Sequence, residues 1–172
     1  HLEMTRDVAS RFNNTYGETF VLPAAKVNKE TQLIHGTNGE KMSKSKGNII
    51  DIFLPVKALK KQIMGIQTDS TSIDEPKDYE NCNVFKLYSL IADQNSITSL
   101  KENYINGGFG YGHAKTELFN YIISKFSKQR ESFDHYMSNK DELDEVLKLG
   151  ALKANKVAQE VLNRVREKLG YN

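Results

Sequence analysis

A chain of 172 residues, 38% hydrophobic and 27% charged, has the make-up of a globular protein with one core or two small ones. Its 24 basic and 22 acidic residues leave a formal charge of +2, too near balance for a dedicated nucleic-acid binder, and no apolar stretch approaches the roughly 18 residues of a membrane span. The lone Cys82 excludes an intramolecular disulfide and a multi-cysteine metal cluster, and it fits a reducing cytoplasm.

In chain order the pattern is mostly helical. Residues 2–16 space Met4, Val8 and Phe12 at i, i+4, and Gly17 stands where a C-cap would. Residues 20–23 and 31–35 are short extended candidates, read as the remnant of a parallel sheet. Pro55 opens the next helix, with Val56, Leu59, Ile63 and Ile66 on one face. Residues 68–81 lack periodicity and are rich in turn formers, which makes them a loop and a domain junction. Helices follow over 84–92 and 96–105, the second with Ser96 at its N-cap. A long helix over 113–137 aligns Leu118, Ile122, Phe126 and Phe133. A last one over 141–169 aligns Leu143, Val146, Leu147, Val157, Val161, Val165 and Leu169. Such stripes need burial against a partner, and an antiparallel helical bundle would supply it.

The run Lys41-Met42-Ser43-Lys44-Ser45, between Gly39-Glu40 and Lys46-Gly47-Asn48, concentrates phosphate-binding groups in one short loop. Lys41 and Lys44 can reach a polyanion from neighbouring directions. The Ser43 and Ser45 hydroxyls and exposed backbone N–H groups would add directional donors. Gly36, Gly39 and Gly47 bracket the run, as for a mobile loop. By composition alone the run reads as a solvated, lysine-rich surface turn, since most charge clusters only solvate a face. A second basic cluster, Lys153, Lys156, Arg164, Arg166 and Lys168, falls on the last helix, where exposed faces are commonly lysine-rich. His35, His113 and His135 have no Cys or carboxylate at ligand spacing, so a zinc site is not expected. His135 adjoins Asp134, but neighbours on a helix do not face each other. Asn13-Asn14-Thr15 matches a glycosylation sequon by chance within a helix.

Lys-Met-Ser-Lys-Ser is the second signature of class I aminoacyl-tRNA synthetases. The chain further resembles the C-terminal half of bacterial tryptophanyl-tRNA synthetases, on residues spread nearly end to end. These are His1-Leu2-Glu3-Met4-Thr5-Arg6-Asp7-Val8-Ala9, Arg11-Phe12-Asn13, Tyr16-Gly17 and Thr68-Asp69-Ser70. Pro76-Lys77-Asp78, Asn81-Cys82-Asn83-Val84-Phe85, Phe109-Gly110-Tyr111-Gly112 with Lys115, and Gly150-Ala151 with Lys153-Ala154 and Val157-Ala158 continue it. The family's first signature, of the His-Ile-Gly-His type, does not occur, nor do the Asp and Gln that precede the segment matching His1. The nearest glycine cluster, Gly107-Gly108-Phe109-Gly110, lacks GxGxxG spacing. The chain is therefore expected to begin in mid-domain, as a truncated form.

The resemblance implies a mostly α fold: residues 1–67 as the tail end of a Rossmann-like α/β catalytic domain carrying the signature loop, and residues 68–172 as an α-helical anticodon-binding domain. It implies a tryptophan–tRNA ligase that uses ATP with Mg2+, forms tryptophanyl-adenylate and charges tRNA(Trp), with the fragment alone inactive. Lys41 and Lys44 would stabilise the leaving pyrophosphate, and Met42, Ser43 and Ser45 would join them in binding ATP. No protein-bound metal, membrane or DNA is implied; the protein would be cytoplasmic, a homodimer at full length and monomeric as this fragment. Asp69 would orient the signature loop or simply form a turn. Phe109 and Tyr111 would stack on anticodon bases or, more plainly, plug a gap between helices. Two rivals stay open: a tyrosyl-type enzyme, and a non-catalytic RNA-binding helical module that keeps the loop as a relic.

Overall fold

Helices shorter than about 12–15 residues are marginal alone in water, so the short helices of this chain depend on what their apolar faces meet. The computed structural model describes residues 1–27 and 33–171. They form seven α-helices, α1 (Leu2–Tyr16), α2 (Val56–Met64), α3 (Asn83–Ser89), α4 (Gln94–Asn106), α5 (Tyr111–Lys125), α6 (Ser127–Ser138) and α7 (Lys140–Leu169), and one 3-10 turn at Lys44–Lys46. They divide into two packed units: the segment up to Val27 with the segment from Tyr136 onward, and everything between. No described helix is long and apolar enough to cross a membrane.

The central unit holds the core. Helix α5 packs on α2 and on α3, and α3 packs on α4. Leu59 and Ile63 of α2, Val84 and Phe85 of α3, Leu100 and Tyr104 of α4, and Ala114, Leu118 and Ile122 of α5 meet in one buried cluster. Tyr104, 0% exposed, stands at its centre; its hydroxyl lies 3.4 Å from Cys82 Sγ, and its ring packs against Phe85, Phe109 and Tyr111. Burial raises its phenol above the ordinary range. Arg130 of α6 donates to the Ile52 carbonyl and, at 2.9 Å, to that of Leu54. Phe133 stacks on Phe53 at 4.7 Å, so α6 clasps the segment leading into α2.

The other unit contains α1 and α7. Gly17, at φ 85, ends α1, and its N–H donates to the Asn13 carbonyl. Asn13 Oδ1 then accepts from the N–H groups of Thr19 (3.0 Å) and Phe20 (2.9 Å), which engages the sequon asparagine in a turn. Arg164 donates to the Thr19 carbonyl at 3.3 Å. Helix α1 buries only Ala9 and α7 buries no residue.

Several expectations need correction. Among the described residues there is no strand; residues 20–23 are irregular, and the only ladder contact is an isolated bridge between His35 and Lys41. The other extended candidate falls partly on residues 31 and 32, outside the described residues. Asp93, not Ser96, caps α4: its carboxylate accepts from Ser96 N–H at 3.0 Å and Ser96 Oγ at 2.8 Å, which leaves Ser96 inside the first turn. The helix expected over 113–137 is two, because Phe126 leaves helical geometry at φ −102, ψ 17. Burial falls off across that break: Leu118 and Ile122 are buried, Phe126 is half-buried and Phe133 is exposed. The stripe of α7, expected to be core, has no buried member: Val146 (48%), Leu147 (59%), Val157 (64%) and Leu169 (41%) are exposed, and Leu143, Val161 and Val165 are half-buried.

Candidate functional site

The signature loop is built on a folded-back stem. Met42 N–H donates to the Ile34 carbonyl (2.8 Å) and Gly36 N–H to that of Glu40 (2.7 Å), which makes the His35–Lys41 bridge. Gly39, at φ 79, supplies the left-handed residue that closes the turn. His35 Nδ1 lies 2.6 Å from the Gly39 carbonyl and donates to it. Beyond the stem Ser43 is extended, Lys44–Lys46 form the 3-10 turn, and Gly47 ends it at φ 64.

Asn48, only 3% exposed, ties the two ends of this loop together. Its Oδ1 accepts from Ser43 N–H (2.8 Å), its Nδ2 donates to Asn38 Oδ1 (2.7 Å) and to the Lys41 carbonyl (3.2 Å), and its own carbonyl accepts from Thr37 N–H (2.9 Å). Gly36 is required there for space, not for φ: a Cβ would sit 2.3 Å from the Asn48 carbonyl oxygen. The stem is held to the helical core by two further bonds, Gln67 N–H to the Thr37 carbonyl (2.8 Å) and Asn83 Nδ2 to the Gly36 carbonyl (2.7 Å).

On this frame the two signature lysines reach solvent. Lys41 and Lys44 are exposed, and among the described residues neither ammonium is paired with a carboxylate. Lys46 differs, because its Nζ lies 2.8 Å from Glu40 Oε2. The hydrogen bond and charge of Lys46, with help from Asn38, hold the Glu40 carboxyl below its ordinary range. The basic patch is thus two open cations and one that is locally neutralised. The Ser43 and Ser45 hydroxyls lie 2.8 Å apart and bond to each other. The N–H groups of Met42, Ser43, Lys46 and Gly47 are also engaged within the chain, so the loop presents fewer open backbone donors than its sequence promised. Half-buried Met42 turns the other way, into an apolar cavity of about 270 Å³ that it lines with Ile34, Ile50, Ile52, Leu87 and Ile122.

Residues 66–82 form an irregular loop, held by bonds within itself and to the Thr37 and Tyr104 carbonyls and the Tyr111 hydroxyl. Asp69 Oδ1 accepts from Thr71 N–H (2.9 Å) and from Tyr111 OH (2.8 Å). These bonds, Thr71's first, lower the Asp69 carboxyl. Burial foremost, and then the bond to Asp69, raise the Tyr111 phenol. Phe109 packs on Tyr104 and His113, so both aromatics of the Gly-rich turn fill space between helices. Lys77, 5% exposed, aims its ammonium at the carbonyls of Ser72 (2.9 Å), Ile73 (3.3 Å) and Glu75 (3.0 Å). Sequence reasoning passed over Lys77, Asn48, Asn83 and the packing role of Gly36. Only their places inside or beside the quoted motifs could have flagged them.

Residues 1–127 match the family model described as tRNA synthetases class I (W and Y). The chain is 46% identical over 170 residues to the tryptophan–tRNA ligase of Campylobacter jejuni, covering 99% of this chain and 53% of that protein. It is 43% identical over 171 residues to that of Fusobacterium nucleatum, covering 99% and 52%. A crystal structure of the Campylobacter jejuni tryptophanyl-tRNA synthetase, complexed with ADP and tryptophan, matches with TM-score 0.82 at 46% identity, over 99% of this chain and 53% of that one. The Mycoplasma pneumoniae tryptophanyl-tRNA synthetase shares the fold with TM-score 0.71 at 22% identity. The chain spans about half the length of the curated relatives it matches. Its match over residues 1–127, signature loop included, places the chain in the family of class I tRNA synthetases (W and Y).

Proposed function

We propose that this chain supplies the signature-loop wall and the anticodon-binding part of a tryptophan–tRNA ligase. Residues 1–67 belong to its Rossmann-like catalytic domain and residues 68–172 to its α-helical anticodon-binding domain. The reaction has two steps. The carboxylate of tryptophan attacks the α-phosphate of ATP, forming tryptophanyl-adenylate as pyrophosphate departs. The terminal ribose hydroxyl of tRNA(Trp) then takes the tryptophanyl group and AMP leaves. Mg2+ accompanies ATP as part of the substrate, and the full-length enzyme is a cytoplasmic homodimer.

The observation that carries the reading is the pair of open ammonium groups, Lys41 and Lys44, on a loop whose stem is bonded at both ends. Cations of this kind stabilise charge that builds on the leaving pyrophosphate, and so act on the transition state more than on bound ATP. The backbone at Met42 lies beside the adenosine, its side chain being seated in the apolar cavity, and Ser43 and Ser45, bonded to each other, join the lysines in binding ATP. Tryptophan is favoured over tyrosine because the named relatives are tryptophan–tRNA ligases.

The test is amino-acid-dependent ATP–pyrophosphate exchange across all twenty amino acids, on this chain and on the protein carried to the full length of its relatives. Exchange is expected in the longer protein alone and with tryptophan alone. There, Lys44→Ala should slow exchange by about 10²–10³, or about 3–4 kcal/mol, with a smaller effect on tryptophan binding. An unchanged rate removes the clamp. Absence of exchange in a folded full-length protein moves the reading to an RNA-binding module.

A further inference from the structure

Asn83, 8% exposed at the start of α3, reaches 47 positions back along the chain to donate to the Gly36 carbonyl at 2.7 Å. Its other amide atom, Oδ1, is buried without a partner among the described residues. A buried acceptor left unmet is unfavourable, and an apolar side chain at this place would avoid that cost. Reversing the amide would set its oxygen against the Gly36 carbonyl, so the orientation is dictated by the loop stem. Gly36 in turn packs against Asn48 so closely that no side chain fits between them, and Asn48 bonds to Asn38, Lys41 and Ser43. One continuous path of hydrogen bonds and close contact therefore joins α3 to the backbone of both Lys41 and Ser43.

We propose that Asn83 and Asn48 are positioning residues for the signature loop: Asn83 anchors the stem to the helical core and Asn48 sets the separation between the two ends of the loop. The anchoring follows from the geometry; its consequence for catalysis rests on the synthetase reading above. A rigid stem lets Lys41 and Lys44 meet a polyanion without first ordering their backbone.

Two measurements test this. Amide hydrogen exchange on the 172-residue chain should show Met42 and Ser43 exchanging roughly tenfold faster in Asn83→Ala, with the amides of α2 and α5 unchanged. Should Asn83→Ala fail to fold, Asn38→Ala, at a half-buried partner of Asn48, should loosen the same amides. Unchanged loop amides, or an equal rise in α2 and α5, overturn the anchoring. In the full-length protein either variant should lower kcat for pyrophosphate exchange roughly tenfold and leave KM for tryptophan in place. A loosened loop with unaltered kcat overturns the catalytic link. Should the unmutated full-length protein catalyse no exchange, the synthetase reading fails, and hydrogen exchange still decides the anchoring.

Discussion

Helices α5 and α7 look alike on paper, each with an apolar residue every third or fourth position, yet they meet opposite fates. Helix α5 buries Ala114, Leu118, Phe119 and Ile122 against α2 and α3, whereas every apolar residue of α7 keeps part of its surface open and none is buried. Periodicity states what a helix needs, and it does not state whether the need is met within the chain. Open stripe positions such as Val146, Leu147 and Val157 make a surface of a different kind from the core, even where the sequence pattern is indistinguishable.

The contrast can be broken by mutation. The largest effect on stability belongs to α5: Leu118→Ala, at 1% exposure, should cost about 2–5 kcal/mol through lost burial and a residual cavity, read by denaturant unfolding of the central unit. A change under about 1 kcal/mol there would mean that the core repacks freely. An intermediate effect belongs to the cap of α4. Asp93→Ala should lower the melting temperature by a few degrees, because Ser96 loses the acceptor for its N–H.

The same carboxylate has a pH signature. Its bonds from Ser96, with Tyr121 OH also donating, lower the Asp93 carboxyl to about 2 from an ordinary value of 3.8. A depressed carboxyl contributes stability above its unfolded value and loses it as pH falls through the folded one. The wild-type advantage over Asp93→Ala should therefore be full above about pH 5 and decline toward pH 2. A gap that is flat across that window would remove the cap's electrostatic role. The smallest effect belongs to α7: Val157→Ser, at 64% exposure, should change stability by less than about 0.5 kcal/mol, measured by the same unfolding. A loss as large as that of Leu118→Ala would show that the stripe is covered in solution, and the comparison between the two helices would collapse.

The signature loop and the core differ in legibility as well. Lys41, Lys44 and the paired serines stood out because their types and spacing are specific, and local features such as Gly17 ending α1 and Pro55 preceding α2 follow from backbone conformation at one residue. The cap of α4 was misread by three places. Asp93 and Ser96 both favour N-caps, and the choice turned on where the first hydrogen-bonded turn closes. Lys77 was unreadable for another reason: the carbonyls that hold it belong to Ser72, Ile73 and Glu75, close in sequence, but only the path of the loop turns all three toward one ammonium.

What the sequence by itself determined is therefore local and chemical: the helical character of most of the chain, the turns at its glycines, and the two lysines of the signature loop with their likeness to a synthetase family. Each depends on residues within a few positions of one another, or on an identity of motif. Tertiary structure alone decided that Asn83 holds Gly36, that Gly36 and Asn48 admit no side chain between them, that Lys46 is taken by Glu40 while Lys41 and Lys44 have no carboxylate partner among the described residues, and that α5 contributes buried residues while α7 contributes none. Those outcomes join residues that are distant in sequence or select among equivalent neighbours, and both depend on where packing places backbone carbonyls and apolar faces in space.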